Sequence, residues 1–284
     1  MALRIQNNVE AFNAHRQLTG TAAKAAKSME KLSSGYRVNR AADDAAGLAI
    51  SEKMRGQIGG LAQAQRNAQD GVSLVQTAEG ALNEVHAMLQ RVRDLRVQFE
   101  NGTLSADDRS AILSEVKQLS TEMAEIQKTT EFNDIKLLQG DIDGTGSGSV
   151  ATIDFQVGAN TGEKITVTTV DLNGTSGLAS IDGLSAAAGT ADFNAITIDA
   201  IDTAINKVST IRSDFGAIQN RLEHRLTNLA TYQENLVASE ARVRDVDMAA
   251  EMVNFTKLGI LQQAGTSMLA QANQSPQGVL ALLR

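Results

Sequence analysis

Between Asp43 and about Glu100, the apolar residues Ala68, Val72, Val75, Ala78, Leu82, Val85, Leu89, Val92, Leu95 and Phe99 recur at spacings of three and four. An α-helix gathers such positions on one face, and a repeat this long calls for a coiled-coil-like seam against other helices. Unbroken, such a helix measures roughly 85 Å, which suits a rod better than a globule. The single proline, Pro276, lies near the far end of the 284-residue chain, so no ring removes a backbone donor from the helical stretches before it. Gly59-Gly60 is expected to loosen this helix locally, and Asn101-Gly102 to end it.

Two further seams follow. Ser105 or Asp107 suits the N-cap of a helix with the stripe Ile112, Val116, Leu119, Met123 and Ile126, running back antiparallel to the first and closed by residues 131–134. From about Ala195, a second long helix carries Ile201, Ile205, Val208, Ile211, Phe215, Ile218, Leu222, Leu226, Leu229 and Leu236. Between them the period changes to two: Ile153, Phe155 and Val157, then Ile165 and Val167, flank Gly158-Ala-Asn-Thr-Gly162 and predict a β-hairpin. Residues 141–149 and 173–190 are rich in Gly, Ser and Ala and read as loops. Aromatic residues make up 3% of the chain and Trp is absent, so the seams are narrow rows of Ala, Leu, Ile and Val.

The chain ends are amphipathic. Ile5, Val9, Phe12, Leu18, Ala22, Ala25, Met29 and Leu32 form one thin stripe; Val243, Met248, Met252, Phe255, Leu258, Leu261, Met268 and Leu269 form another. Neither stripe buries enough apolar surface to order a helix alone, because backbone entropy exceeds what a few side chains return. Each end needs a partner face. The fold class is therefore mainly α: a long antiparallel helical bundle or coiled-coil rod with a small β-hairpin, its terminal helices paired. The domains are 1–42 with 240–284, 43–140 with 190–239, and 141–189.

Ser33 to Ser51 joins the first helix to the long one. Gly35 suits a helix C-terminus, since it accepts a left-handed backbone. Asp43 or Asp44 suits an N-cap. Arg37 and Arg40 lie between, and Gly47 with its neighbouring alanines leaves room for another backbone. On these residues alone the stretch is either an ordinary joint or a place of close packing.

Chemistry is hard to find. There is no Cys, and the three His residues (His15, His86 and His224) are scattered without metal-ligand spacing. No glycine-rich stretch continues as a phosphate loop, and no Ser sits in a nucleophile elbow. Neither an enzyme nor a cofactor is expected. A net charge of −7 argues against general nucleic-acid binding, although residues 1–40 carry a basic surplus suited either to solvation or to acidic neighbours. No run is long enough for membrane insertion, and the first residues lack the apolar centre of a cleaved signal peptide.

Longer motifs are more specific. Leu32-Ser-Ser-Gly35, Arg37-Val-Asn39 and Asp43-Asp-Ala-Ala-Gly-Leu-Ala-Ile50, with the opening Arg4-Ile5-Gln6-Asn7-Asn8, resemble the N-terminal signature of bacterial flagellins. Phe155-Gln-Val-Gly-Ala-Asn160 is similar to the hairpin motif of that family, and Ala241-Arg-Val-Arg-Asp-Val-Asp-Met-Ala-Ala-Glu251 to its C-terminal signature. Val279-Leu-Ala-Leu-Leu-Arg284 matches the family's terminus. The departures are Tyr36, where an aliphatic residue is usual, and Arg40-Ala41-Ala42, where the family varies.

The resemblance implies a secreted structural subunit that polymerises into the flagellar filament for motility, in a short form with little or no outer variable domain. It implies that the chain ends line an inner tube, the central helices and hairpin form an outer tube, and the sequence middle projects outward. Gly35, Arg37, Arg40, Asp43, Asp44 and Gly47 then lie in the spoke joining the tubes. The implied partners are further copies of the chain, the flagellar type III export apparatus and its secretion chaperone, and the hook-associated and cap proteins. By position, Arg91, Leu95 and Glu115 match the residues that Toll-like receptor 5 recognises in some members, although the same residues would serve equally as ion pair and seam. Leu280, Leu282 and Leu283 match a segment sensed by inflammasome receptors. Thr145, Ser147, Ser149, Thr175 and Ser176 are either O-glycan carriers or bare loop residues. The competing readings are a hook–filament junction protein, which shares the end motifs, and a soluble coiled-coil adaptor.

Overall fold

The computed structural model describes residues 8–140, 151–172, 193 and 196–282, with the backbone alone for 275–282. The five loop Ser and Thr positions and Leu283 lie outside the described residues, as do the side chains of Leu280 and Leu282. Helices α1 (Val9–Ser34), α2 (Ala45–Phe99) and α3 (Ala106–Thr129) come first in the chain. Strands β1 (Glu131–Phe132), β2 (Ile135–Lys136), β3 (Thr152–Gln156) and β4 (Lys164–Thr168) follow, then α4 (Ile198–Arg244) and α5 (Met248–Leu282). The expected class, mainly helical with a small hairpin, is the observed one. Among the described residues, no helix is long and apolar enough to cross a membrane and no cluster of His, Asp or Glu could hold a metal ion.

The chain divides into two units, residues 59–233 and residues 1–58 with 234–284. In the first, the three predicted seams meet. Val75, Leu82, Val85, Leu89, Val92 and Phe99 of α2 pack with Ile112, Val116 and Met123 of α3 and with Ile201, Val208 and Phe215 of α4. Ion pairs fix the directions. Arg93 meets Asp202 at 2.6 Å and Arg212 reaches Glu79 at 3.9 Å, so α2 and α4 run antiparallel. Arg91 meets Glu115 while Arg109 covers the Phe99 ring at 5.4 Å, so α3 also runs against α2. Ser105 caps α3 with a full capping box closed by Asp108.

Two local expectations change. Helix α2 continues through Gly59-Gly60 rather than loosening there. Gly60 instead serves packing: a Cβ on it would lie 3.1 Å from that of Ala159 at the hairpin tip. Residues 131–134 do more than close α3, because β1 and β2 pair around Asn133 and Asp134, both with positive φ. That is the type I′ turn, whose twist matches that of the flanking strands. The predicted hairpin is present with β3 and β4 antiparallel and Phe155 opposite Ile165. Its tip is fastened to the helices by Asn67 Nδ2, which donates to the Gln156 carbonyl at 3.0 Å, and by Arg225 Nε, which donates to that of Val157 at 3.0 Å.

Candidate functional site

In the unit built from both chain ends, α1 and α5 lie antiparallel. Asn8 Nδ2 donates to the Ala272 carbonyl at 2.7 Å, Leu18 sits against Gly265, and Ser28 Oγ donates to Glu251 at 2.5 Å. The paired face of α1 alternates steps of three and four, and that of α5 does so except between Leu258 and Gly265, where Gln262 is exposed. On α1 it comprises Ala11, Ala14, Leu18, Thr21, Ala25, Ser28 and Leu32; on α5, Glu251, Phe255, Leu258, Gly265, Leu269 and Ala272. This is a heptad seam in which small residues, chiefly from α1, face Phe255, Leu258 and Leu269 of α5. At Gly265 the helices come close enough that a Cβ would stand 3.1 Å from Leu18 Cδ1.

The single stripe expected on each end helix is in fact two. Leu18, Ala25 and Leu32 turn toward α5, whereas Val9, Phe12 and Met29 face away from it. On α5, Phe255, Leu258 and Leu269 turn inward, whereas Met248, Met252, Val253, Ile260, Leu261 and Met268 are exposed. Phe12 is 72% exposed and Val253 71%. Large apolar side chains are therefore divided between the seam and the outer faces, and on α1 the seam is rich in small residues. Singly exposed apolar residues are ordinary, but a run of them along a helix pair marks a surface that other protein covers.

The connections at this unit's corner are closely tied. Gly35 ends α1 with φ 75°. The Arg37 amide donates to the Arg244 carbonyl at 2.7 Å and the Val246 amide donates to that of Gly35 at 3.0 Å, so the α1–α2 connection pairs with the α4–α5 link. Asp44 caps α2 by accepting from the Gly47 amide at 2.8 Å, and a Cβ at Gly47 would run into that carboxylate. Asp43 has a different task. It accepts from the amides of Asn39 and Arg40 and pairs with Lys27 at 2.6 Å. The Lys27 ammonium and those amides hold its carboxyl at a pKa of about 2. Ser28 similarly holds the Glu251 carboxyl below its usual range. Arg37 and Arg40 are engaged within the chain: Arg37 Nη2 donates to the Val243 carbonyl at 2.8 Å and Arg40 Nε pairs with Glu30 at 2.8 Å. Reading the sequence missed Arg244 and Tyr36, whose partners come from the opposite end of the chain.

On the other unit, Arg91 and Glu115 are exposed and joined at 2.7 Å across α2 and α3. Leu95 is only 2% exposed and fills the core beneath them. The surface of this segment is carried by the ion pair and not by the leucine.

Comparison with known proteins accounts for both ends of the chain. The bacterial flagellin N-terminal helical region matches residues 5–143 and the bacterial flagellin C-terminal helical region matches residues 198–283. A flagellin of Halalkalibacterium halodurans is 53% identical over 283 residues, covering 99% of each chain. A flagellin of Bacillus subtilis is 50% identical over 305 residues, covering 99% of this chain and 100% of its own. The flagellar filament 33 kDa core protein of Treponema phagedenis is 46% identical and covers 99% of both chains. With both end regions and full-length relatives matched, a chain whose paired end helices carry outward apolar faces is thus one that belongs to the bacterial flagellin family, in its short form.

Proposed function

We propose that the outward apolar faces of α1 and α5 are the surfaces through which this chain, a structural subunit of a flagellar filament, joins its neighbours. The observation that carries this is the second apolar face of the terminal helices, where Phe12, Val253 and Ile260 face away from the seam and are exposed. Each such side chain returns about 1.5–3 kcal/mol when fully buried. Unlike surfaces on one subunit that fit each other propagate as an open helical polymer when the rotation between neighbours does not close a ring. On this reading residues 1–42 and 240–284 form the inner tube and spoke, 43–140 and 190–239 the helical rod of the outer tube, and 141–189 its β-hairpin and short surface loops. The export apparatus with its chaperone, and the hook-associated and cap proteins, are the further partners, and the destination is the cell exterior. Seeded polymerisation of the full chain, followed by sedimentation and electron microscopy, tests the assembly face. Phe12→Asp with Val253→Asp is expected to abolish elongation, and normal filaments from that variant would refute the reading.

A second reading concerns innate-immune recognition by Toll-like receptor 5. It is supported by the exposed Arg91–Glu115 pair, which offers opposite charges side by side on one face. Leu95 enters this reading only as the core residue that positions Arg91. Arg91→Ala and Glu115→Ala are expected to weaken receptor activation in a reporter-cell assay, and unchanged activation by both would end this reading.

A further inference from the structure

We propose that Arg244, closed over by Tyr36, is a positioning residue for filament assembly that clasps the connections from the two ends of the chain into one rigid corner. The proposal rests on the assembly reading above. Arg244 ends α4 with 12% of its side chain exposed. Its guanidinium carbon lies 4.6 Å from the centre of the Tyr36 ring. Nη1 pairs with Glu52 at 2.7 Å and stands 3.4 Å from Ser51 Oγ. Nε is buried with no acceptor among the described residues, so the aromatic face and the Glu52 carboxylate carry most of the compensation for this cation. The backbone of the same residue takes part as well, its carbonyl accepting from the amides of Arg37 at 2.7 Å and Val38 at 3.5 Å.

Arg244 therefore touches the α1–α2 connection and the first turns of α2 from the end of α4, partners that lie 192 residues apart in the chain. The surroundings reinforce it. Tyr36 and Asp245 form a backbone bridge, Ser51 Oγ donates to Glu240 at 2.9 Å, and Val38 is buried beneath. A hinge needs a few residues free to change φ and ψ. Here the amides of Arg37, Val38 and Val246 are all committed to bonds between the two connections. A planar guanidinium can lie over a ring while one of its N–H groups pairs with a carboxylate, as Nη1 does with Glu52, whereas an ammonium has no plane to lay on the ring. The corner consequently presents the α1–α5 pair in one orientation to α2 up to residue 58 and to α4 from residue 234.

The test is seeded elongation by the full chain, with the critical concentration and the filament waveform as readouts. A wild-type chain that does not elongate overturns the assembly reading and this proposal together. Given wild-type elongation, Arg244→Ala is expected to raise the critical concentration by about tenfold and to change the waveform, while thermal melting of residues 59–233 moves by less than about 1 °C. Arg244→Lys keeps the ion pair, loses the stack, and falls between. Tyr36→Leu in the Arg244→Ala background adds nothing further, because both residues serve one interaction. Additive losses, or wild-type critical concentration and waveform for Arg244→Ala, would overturn the proposal. If Arg244→Ala loses the melting transition of residues 59–233, Tyr36→Leu decides alone: a raised critical concentration and altered waveform support the clasp, and wild-type values refute it.

Discussion

The two units of this chain use the same helical repeat in opposite ways. In residues 59–233 the large side chains, such as Leu82, Leu89 and Phe215, turn inward and are buried. In the unit of the chain ends the seam mixes small residues with a few leucines and Phe255, while Phe12, Val253 and Ile260 face out. The first arrangement stabilises a chain by itself. The second leaves most of the transferable apolar surface ungathered until another molecule covers it. An apolar period therefore states that a helix will be covered, without stating by what.

Substitutions should separate these roles. Phe12→Asp with Val253→Asp has the largest expected effect on assembly, abolishing elongation in a sedimentation assay, yet it should change monomer stability by no more than about 0.5 kcal/mol. Leu89→Ala should do the reverse at first, costing about 2–5 kcal/mol in monomer unfolding through the cavity it leaves. Gly265→Val strikes the seam itself. It forces Leu18 aside and should cost roughly 1–3 kcal/mol of overpacking, seen in assembled filaments as faster amide exchange in α1 and α5 but not in α2 beyond residue 59.

Acid offers a milder test. The folded pKa of Asp43 lies at about 2, below its ordinary 3.8. The folded corner thus binds that proton less readily than the unfolded chain does. The resulting stabilisation is fully present above about pH 4 and disappears as pH falls toward 2. Glu251 and Glu52, lowered by Ser28 and by Arg244 respectively, act in the same direction. In the other unit Asp108 and Asp154 are also lowered, but they serve a helix cap and a strand surface above an apolar core. On acidification of assembled filaments, amide protection should therefore fail first in the unit of the chain ends, and Asp43→Asn should flatten that dependence. The smallest effect belongs to Arg91→Ala, which removes an exposed ion pair and should cost only about 0.2–1 kcal/mol in thermal melting.

Much of this fold is legible in the sequence because its determinants are local. The seam from Ala68 to Phe99, the Ser105 cap, the Gly35 terminus and the alternation around Phe155 all depend on residues a few positions apart. The β1–β2 hairpin escaped because Asn133-Asp134 replaces the usual Asn-Gly of a type I′ turn. The division of Phe12 from Leu18, and of Val253 from Leu258, is less legible, since both members of each pair are apolar and only the partner helix decides which is buried. The same holds for Leu95, whose motif suggests a surface but whose place in the seam buries it. Tyr36 stands out in the sequence only as an unusual residue, and its pairing with Arg244 is hidden because the clasp exists only once the two ends of the chain meet.

The central claim is that the terminal helices become fully ordered only when neighbouring subunits cover their outer faces. Amide hydrogen exchange, measured on a proven monomer and on assembled filaments, addresses it directly. The account predicts fast exchange through α1 and α5 in the monomer, slow exchange of the same amides in the filament, and strong protection of the amides around Leu82 and Leu89 in both. Equal protection of α1, α5 and the α2 seam in the monomer would contradict it.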